Sequence, residues 1–172
     1  MLFILAQLFG IISLLIYCVG VQVKKKENVL VVSILTNFFD SMQYLCLNAI
    51  TGSIISLVNA FRCLAFYSYE KKYSKPSKIL FAIFVIIALI CGGITYKNIF
   101  SILPITASII STYGMWQRKA TIARIGLLLS CTMYIIYSLQ AKAYSGAITF
   151  LVMFVATLIS IIRNDVKFGG NK

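Results

Sequence analysis

The chain has 172 residues, 60% of them hydrophobic and 12% charged, with a mean hydropathy of +0.94. That balance excludes an ordinary soluble domain, which has no interior large enough to hide so much apolar surface. The net charge of +12 sits in short clusters between apolar runs and not in a surface stripe, which argues against nucleic-acid binding. Histidine is absent and the only acids are Glu27, Asp40, Glu70 and Asp165. This inventory does not supply a zinc site, a Ser/His/Asp triad or a paired-carboxylate centre, so neither an enzyme nor a bound cofactor or metal is expected.

In chain order the apolar runs fall at 2–22, 28–47, 49–69, 77–95, 98–116, 121–140 and 143–163. Each approaches the roughly 20 residues that carry a helix across the hydrocarbon, so the sequence predicts seven transmembrane helices in one membrane domain. The first run lacks a basic leader and is too long for a signal peptide, and is expected to remain as a helix. Asn48 alone separates runs two and three, and a short stretch from Gln140 to Tyr144 separates six and seven, which predicts two tight helical hairpins. Cys18, Cys46, Cys63, Cys91 and Cys131, without CxxC spacing, are expected to be reduced, small, buried apolar residues. Trp116 and Tyr67, Tyr69, Tyr73, Tyr96 and Tyr144 lie near run ends, as aromatic belt residues do.

Orientation follows from alternate loops. Lys24, Lys25, Lys26, Lys71, Lys72, Lys75, Lys78, Arg118, Lys119, Arg124, Arg163, Lys167 and Lys172 fall on one side, against Lys97 and Lys142 on the other. The first side is therefore expected in the cytoplasm, in contact with anionic lipid, with the N-terminus outside and the C-terminus inside.

Sliding the sequence over itself by 94 residues places Gly20 on Gly114, Lys25 on Lys119 and Gly52 on Gly146. Apolar pairs such as Ile11 with Ile105 and Leu45 with Leu139 follow the same offset. The reading is a 3+1+3 plan: a three-helix repeat over 1–72, a connector helix over 73–96 and a second repeat over 97–172. Four spans separate equivalent helices, so the repeats run parallel and share an interface near the midplane, the natural place for a solute site.

Polar residues within the runs mark candidate sites. Asn37, Asp40, Ser41, Tyr44 and Asn48 follow helical spacing and form one stripe on the second run, while Asn59 and Arg62 share a face of the third. A charge at the bilayer centre costs about 2.5–3.5 kcal/mol on insertion scales, so Asp40 and Arg62 are expected to face the bundle interior and to pair as a gate. Asn59, Tyr44 and Tyr137 are the expected solute contacts. Asn37, Gln43 and Asn48 read equally well as hydrogen-bonding glue between helices. Pro104, opposite Gly10 under the 94-residue offset, is expected to kink the fifth helix and to act with Gly10 as a hinge; a static kink is the alternative.

Several stretches resemble the YgjV-type bacterial inner membrane proteins: Ala6, Gln7 and Gly10; the run Leu57-Val58-Asn59-Ala60-Phe61-Arg62; Leu103-Pro104 through Ser111-Thr112; and Ile161-Ile162-Arg163. The resemblance implies a compartment, the bacterial inner membrane, more than an activity. More distantly, the 3+1+3 plan resembles SWEET and SemiSWEET sugar carriers and PnuC vitamin carriers, where three-helix units pair around a central site. The SWEET resemblance implies a solute contact for Asn59; Met153 occupies the partner position, and the Pro-Gln motif of those carriers is absent. The sequence thus predicts a carrier of a small polar solute, with a non-transporting structural or regulatory membrane protein as the alternative. The oligomeric state is left open.

Overall fold

The computed structural model describes residues 1–21, 26–73, 77–117 and 120–162. The described residues form seven α-helices: α1 (Leu2–Val21), α2 (Lys26–Cys46), α3 (Ile50–Tyr73), α4 (Lys78–Ile94), α5 (Ile102–Trp116), α6 (Ala120–Gln140) and α7 (Tyr144–Ile161). A 3₁₀ turn, Ile99–Ser101, leads into α5. The seven apolar runs all emerge as helices, with ends displaced by a few residues. Of the basic residues that set orientation, Lys24, Lys25, Lys75, Arg118, Lys119, Arg163, Lys167 and Lys172 lie outside the described residues.

Local chemistry explains where the helices stop. Ser77 caps α4 by accepting from the Leu80 N–H at 3.2 Å. Asn98 accepts from the Ser101 N–H, and Ser101 Oγ reaches back to the Asn98 N–H, a reciprocal box that starts the 3₁₀ turn.

The two tight hairpins end α2 and α6 in the same way. Asn48 (φ 56°) and Lys142 (φ 59°) both adopt the left-handed conformation. The Asn48 N–H bonds Leu45 O at 3.1 Å and the Ala49 N–H bonds Tyr44 O at 2.9 Å; the Lys142 N–H bonds Leu139 O at 3.1 Å and the Ala143 N–H bonds Ser138 O at 2.8 Å. Each pair closes a Schellman turn, and corresponding residues differ by 94.

Four stretches are long and apolar enough to cross a membrane: Leu2–Val19, Ile50–Tyr73, Ile99–Trp116 and Tyr144–Ile161, with Lys78–Ile94 a shorter apolar helix. α2 and α6 are as long but more polar, because they carry Asp40, Gln43 and Tyr44 or Ser130, Tyr134 and Ser138, all buried. Burial is inverted relative to a soluble protein. Leu2, Ile4, Leu8 and Leu15 of α1 and Ile79, Ile86 and Ile90 of α4 are exposed, whereas Ser13, Asp40, Asn59, Arg62 and Thr112 are buried. Hydrocarbon is the solvent that makes this arrangement favourable, since apolar side chains meet lipid and polar ones satisfy each other inside. Cys63 and Cys131 are buried as expected, Cys46 and Cys91 partly so, but Cys18 is exposed on the outer face of α1, where a thiol is apolar enough to meet lipid.

Helix contacts follow a regular order: α1 on α2, α2 on α3, α5 on α6 and α6 on α7, with α4 touching α3 and α5. Across the middle, α1 meets α7 and α3 meets α5. α2 and α6 therefore hold corresponding central positions, each flanked by two partners.

Candidate functional site

A cavity of about 330 Å³ lies between the helices, with walls from α1, α2, α3, α5, α6 and α7. Its lining runs from Asp40, Asn59, Tyr134 and Thr149 near the middle of their helices to Ser33, Met115 and Arg124 near the ends of α2, α5 and α6 that carry basic residues. The volume lies within the range of small-molecule sites.

The stripe on α2 is present, and its members reach three other helices, with the neighbouring Gln43 reaching a fourth. Asn37 and Asp40 line the cavity. Ser13 Oγ of α1 donates to Asp40 Oδ1 at 2.7 Å. Ser41 Oγ donates to Ser53 O of α3 at 2.9 Å, Gln43 Nε2 donates to Ser145 Oγ of α7 at 2.8 Å, and the Tyr44 hydroxyl bonds Ser138 Oγ of α6 at 2.6 Å. Asn37 Nδ2 returns to its own helix at Ser33 O, and Asn48 serves as the turn residue of the hairpin.

Asn59 sits where three helices meet. Its Nδ2 donates to the Tyr134 hydroxyl at 2.8 Å, and its Oδ1 accepts from Ser108 Oγ at 2.6 Å. The Tyr134 ring stacks on Phe150 of α7, with centroids 4.8 Å apart and planes 12° apart. One turn along α3, Arg62 Nη1 donates to Ser108 O at 3.0 Å, Ser111 Oγ at 2.8 Å and Thr112 Oγ1 at 2.6 Å. Thr112 Oγ1 also donates to Ser108 O, so the first two turns after Pro104 present a ladder of oxygens to the guanidinium.

Two expectations need correction. Asp40 and Arg62 share the cavity but form no direct ion pair among the described residues: Asp40 takes the Ser13 hydroxyl, and Arg62 is drawn to the α5 oxygens. Pro104 is buried but lies in the first turn of α5, behind the 3₁₀ turn, and not in mid-span. At such a position its missing N–H costs little, because first-turn N–H groups lack helical partners in any case. Gly10 faces Ser145 Oγ and Gln43 so closely that a Cβ there would collide with both. The geometry gives it a packing role between α1, α2 and α7.

Tyr44 and Tyr137 stand about one turn beyond Asp40 and Tyr134, and neither lines the central cavity. Together they fill the bundle at that level. Their rings meet edge to face with centroids 5.4 Å apart, and Gly52 N–H donates to the Tyr137 hydroxyl at 2.9 Å. A Cβ on Gly52 would strike the Tyr137 ring, and one on Gly146 would lie 2.7 Å from Gln43 Oε1. Gln7 closes the layer, accepting from the Ser145 N–H and hydroxyl and donating to Lys142 O. On the far side of this plug a second pocket of about 330 Å³ is bounded by the two hairpins, Lys97 and Tyr137.

Sequence reasoning missed the acceptors and donors that complete these networks: Ser13, Ser108, Ser138, Ser145 and Gln7. Serines are common in membrane helices and often bond their own backbone, as Ser130 does to Leu127 O, so they carry little contrast. The 94-residue spacing of Tyr44 and Ser138 was the one available signal.

A helical bundle with lipid-facing apolar surfaces, buried polar and charged side chains and a central cavity that Asp40, Asn59 and Arg62 reach defines a polytopic membrane protein. The model of the Imp-YgjV family, described as bacterial inner membrane protein, matches residues 4–167, and the chain belongs to that family. No curated protein and no solved structure matches it. The expected likeness to SWEET, SemiSWEET and PnuC carriers is not shown by these comparisons.

Proposed function

We propose that this protein is a carrier of a small polar solute, built as two parallel three-helix repeats, α1–α3 and α5–α7, with α4 as connector. The observation that carries the reading is the pair of cavities, the central one reached by Asp40, Asn59 and Arg62, separated by a plug of Tyr44, Tyr137 and Gln43. A solute in the central cavity is screened from the hairpin side by about one helical turn of packed side chains, roughly 5 Å. A carrier needs such a thin barrier on one side of its site, and it needs an interface that rearranges by rocking one repeat against the other.

Repeat symmetry is supported by the hairpins, which match in dihedral angle and hydrogen bonding at an offset of 94, and by the exchange of partners across the centre. Gly52 packs on Tyr137 while its counterpart Gly146 packs on Gln43, itself the counterpart of Tyr137. Tyr44 bonds its own counterpart-position residue, Ser138, as groups beside a two-fold axis do. With the basic ends cytoplasmic, the cavity extends toward the cytoplasm and the plug closes the outer side.

In this reading Asn59, with Tyr134 beside it, contacts solute, Asp40 and Arg62 provide the charges of the site, and Tyr44 and Tyr137 act as the outer gate. Gly10 and Pro104 lie where α1 and α5 would pivot. The test is counterflow in proteoliposomes, screening labelled sugars, nucleosides, vitamins and amino acids. Saturable exchange that is lost in a folded Asn59→Ala protein is expected. Exchange unaffected by Asn59→Ala would remove the proposed site, and absence of exchange across the panel would favour a structural or regulatory membrane protein.

A further inference from the structure

The split between Asp40 and Arg62 has a chemical meaning for the cavity they share. Arg62 is only 4% exposed, and its Nη1 donates to three uncharged oxygens of α5. Its Nε is buried with no partner. The edge formed by Nε and Nη2 is the one that grips a carboxylate with two parallel hydrogen bonds, and no carboxylate among the described residues fills it. Asp40, 5% exposed, uses Oδ1 for Ser13 and lines the same cavity. A buried guanidinium and a buried carboxyl group thus line one cavity, and each is met by neutral groups of the protein.

Charges held in a membrane interior are stable when each meets an opposite charge or water. A ligand that neutralises both carries a carboxylate and a cationic group on one small skeleton. We infer that the central cavity takes a small zwitterion of the α-amino-acid or betaine class, its carboxylate on the free edge of Arg62 and its cationic nitrogen toward Asp40. Asn59 and the Tyr134 hydroxyl lie on the same wall and are placed to meet the polar part of the skeleton between the two ends. A sugar or nucleoside offers no counter-charge to either residue, and a simple carboxylate neutralises only one.

The inference deepens the carrier reading and rests on its assignment of the cavity as a solute site, but binding is separable from transport. The full-length protein in nanodiscs is titrated with the L-α-amino acids and their N-methylated betaines, one compound at a time, by calorimetry. For the compound that binds, the wild-type protein is then titrated with its methyl ester, which lacks the carboxylate, and with the deaminated acid, which lacks the cation. Each deletion is expected to weaken binding by about 10- to 100-fold, the usual worth of a charge-assisted hydrogen bond. Arg62→Lys, which keeps the charge and loses the planar edge, is expected to weaken the parent compound while leaving the ester unchanged.

An ester or a deaminated acid that binds as well as its parent overturns the inference. So does silence across the panel, or binding confined to uncharged sugars and nucleosides. Zwitterion binding without counterflow would leave the ligand class standing and remove the carrier. Counterflow of a neutral solute would do the reverse.

Discussion

The stretches α1–α3 and α5–α7, proposed above as two three-helix units, match in their hairpins and differ in chemistry. Their hairpins superpose in sequence offset, in left-handed turn residues and in backbone hydrogen bonds. Yet Asp40 in α2 corresponds to Tyr134 in α6, Asn59 in α3 to Met153 in α7, and Arg62 to Ala156. The first unit supplies every full charge near the cavity's midpoint; the second supplies a hydroxyl, a thioether and a methyl group. Backbone turns and close-packing glycines recur in both units because both hairpins must pass the same centre. Side chains facing the cavity are under no such constraint; on the carrier proposal, each point of an asymmetric solute would meet only one unit.

The comparison breaks most severely where packing is tightest. Gly52→Leu forces a branched side chain into the Tyr137 ring, and Gly146→Leu does the same against Gln43. Each is expected to cost about 3 kcal/mol or more, seen as loss of monodisperse protein on size-exclusion chromatography. Similar damage at both glycines supports their equivalence, whereas tolerance at one alone breaks it.

Smaller effects are expected from the chemistry of the first unit. Asn59→Ala leaves the Tyr134 and Ser108 hydroxyls without a partner, and a loss of about 1–2 kcal/mol is expected in denaturant titration, together with loss of exchange. Met153→Ala, at the equivalent place in the second unit, should spare the hydrogen-bond network and lower stability by about 1 kcal/mol while exchange persists. Tyr44→Phe removes the bond to Ser138 at the centre of the plug and is expected to cost about 1 kcal/mol by the same titration.

The smallest change concerns the turns. A non-glycine residue in the left-handed region costs roughly 1 kcal/mol, with asparagine penalised least. Lys142→Gly should therefore raise the thermal midpoint more than Asn48→Gly, by an amount worth up to about 1 kcal/mol. The reverse order would mean that the two turns are held differently in the folded protein.

The fold was legible because hydrophobic runs of membrane length leave few alternatives, and because Asn48 and the Gln140–Tyr144 stretch left no room for loops. Asp40 and Arg62, expected inside the bundle because charge is costly in hydrocarbon, line the cavity together with Asn59, which shares a helix face with Arg62. Their partners were not legible. A helical wheel sets a side chain's face but not which neighbour it meets, so Arg62 was matched to the nearest opposite charge, while the fold offers it three oxygens on α5. Tyr44 and Tyr137 were assigned to solute for the same reason and stand instead in the plug. Pro104, expected to kink the fifth helix, falls in the first turn of α5 because that helix begins at Ile102, later than the apolar run.

The most direct test of a carrier with one gated cavity is access from the two faces of the membrane. Thr149, 1% exposed on the cavity wall, is replaced by cysteine in a chain whose native cysteines are changed to alanine. A membrane-impermeant maleimide is then applied to right-side-out and to inside-out vesicles. Labelling in both orientations is predicted, because the plug and the cavity mouth open in turn. Labelling from one face only would describe a fixed vestibule and would contradict the carrier account.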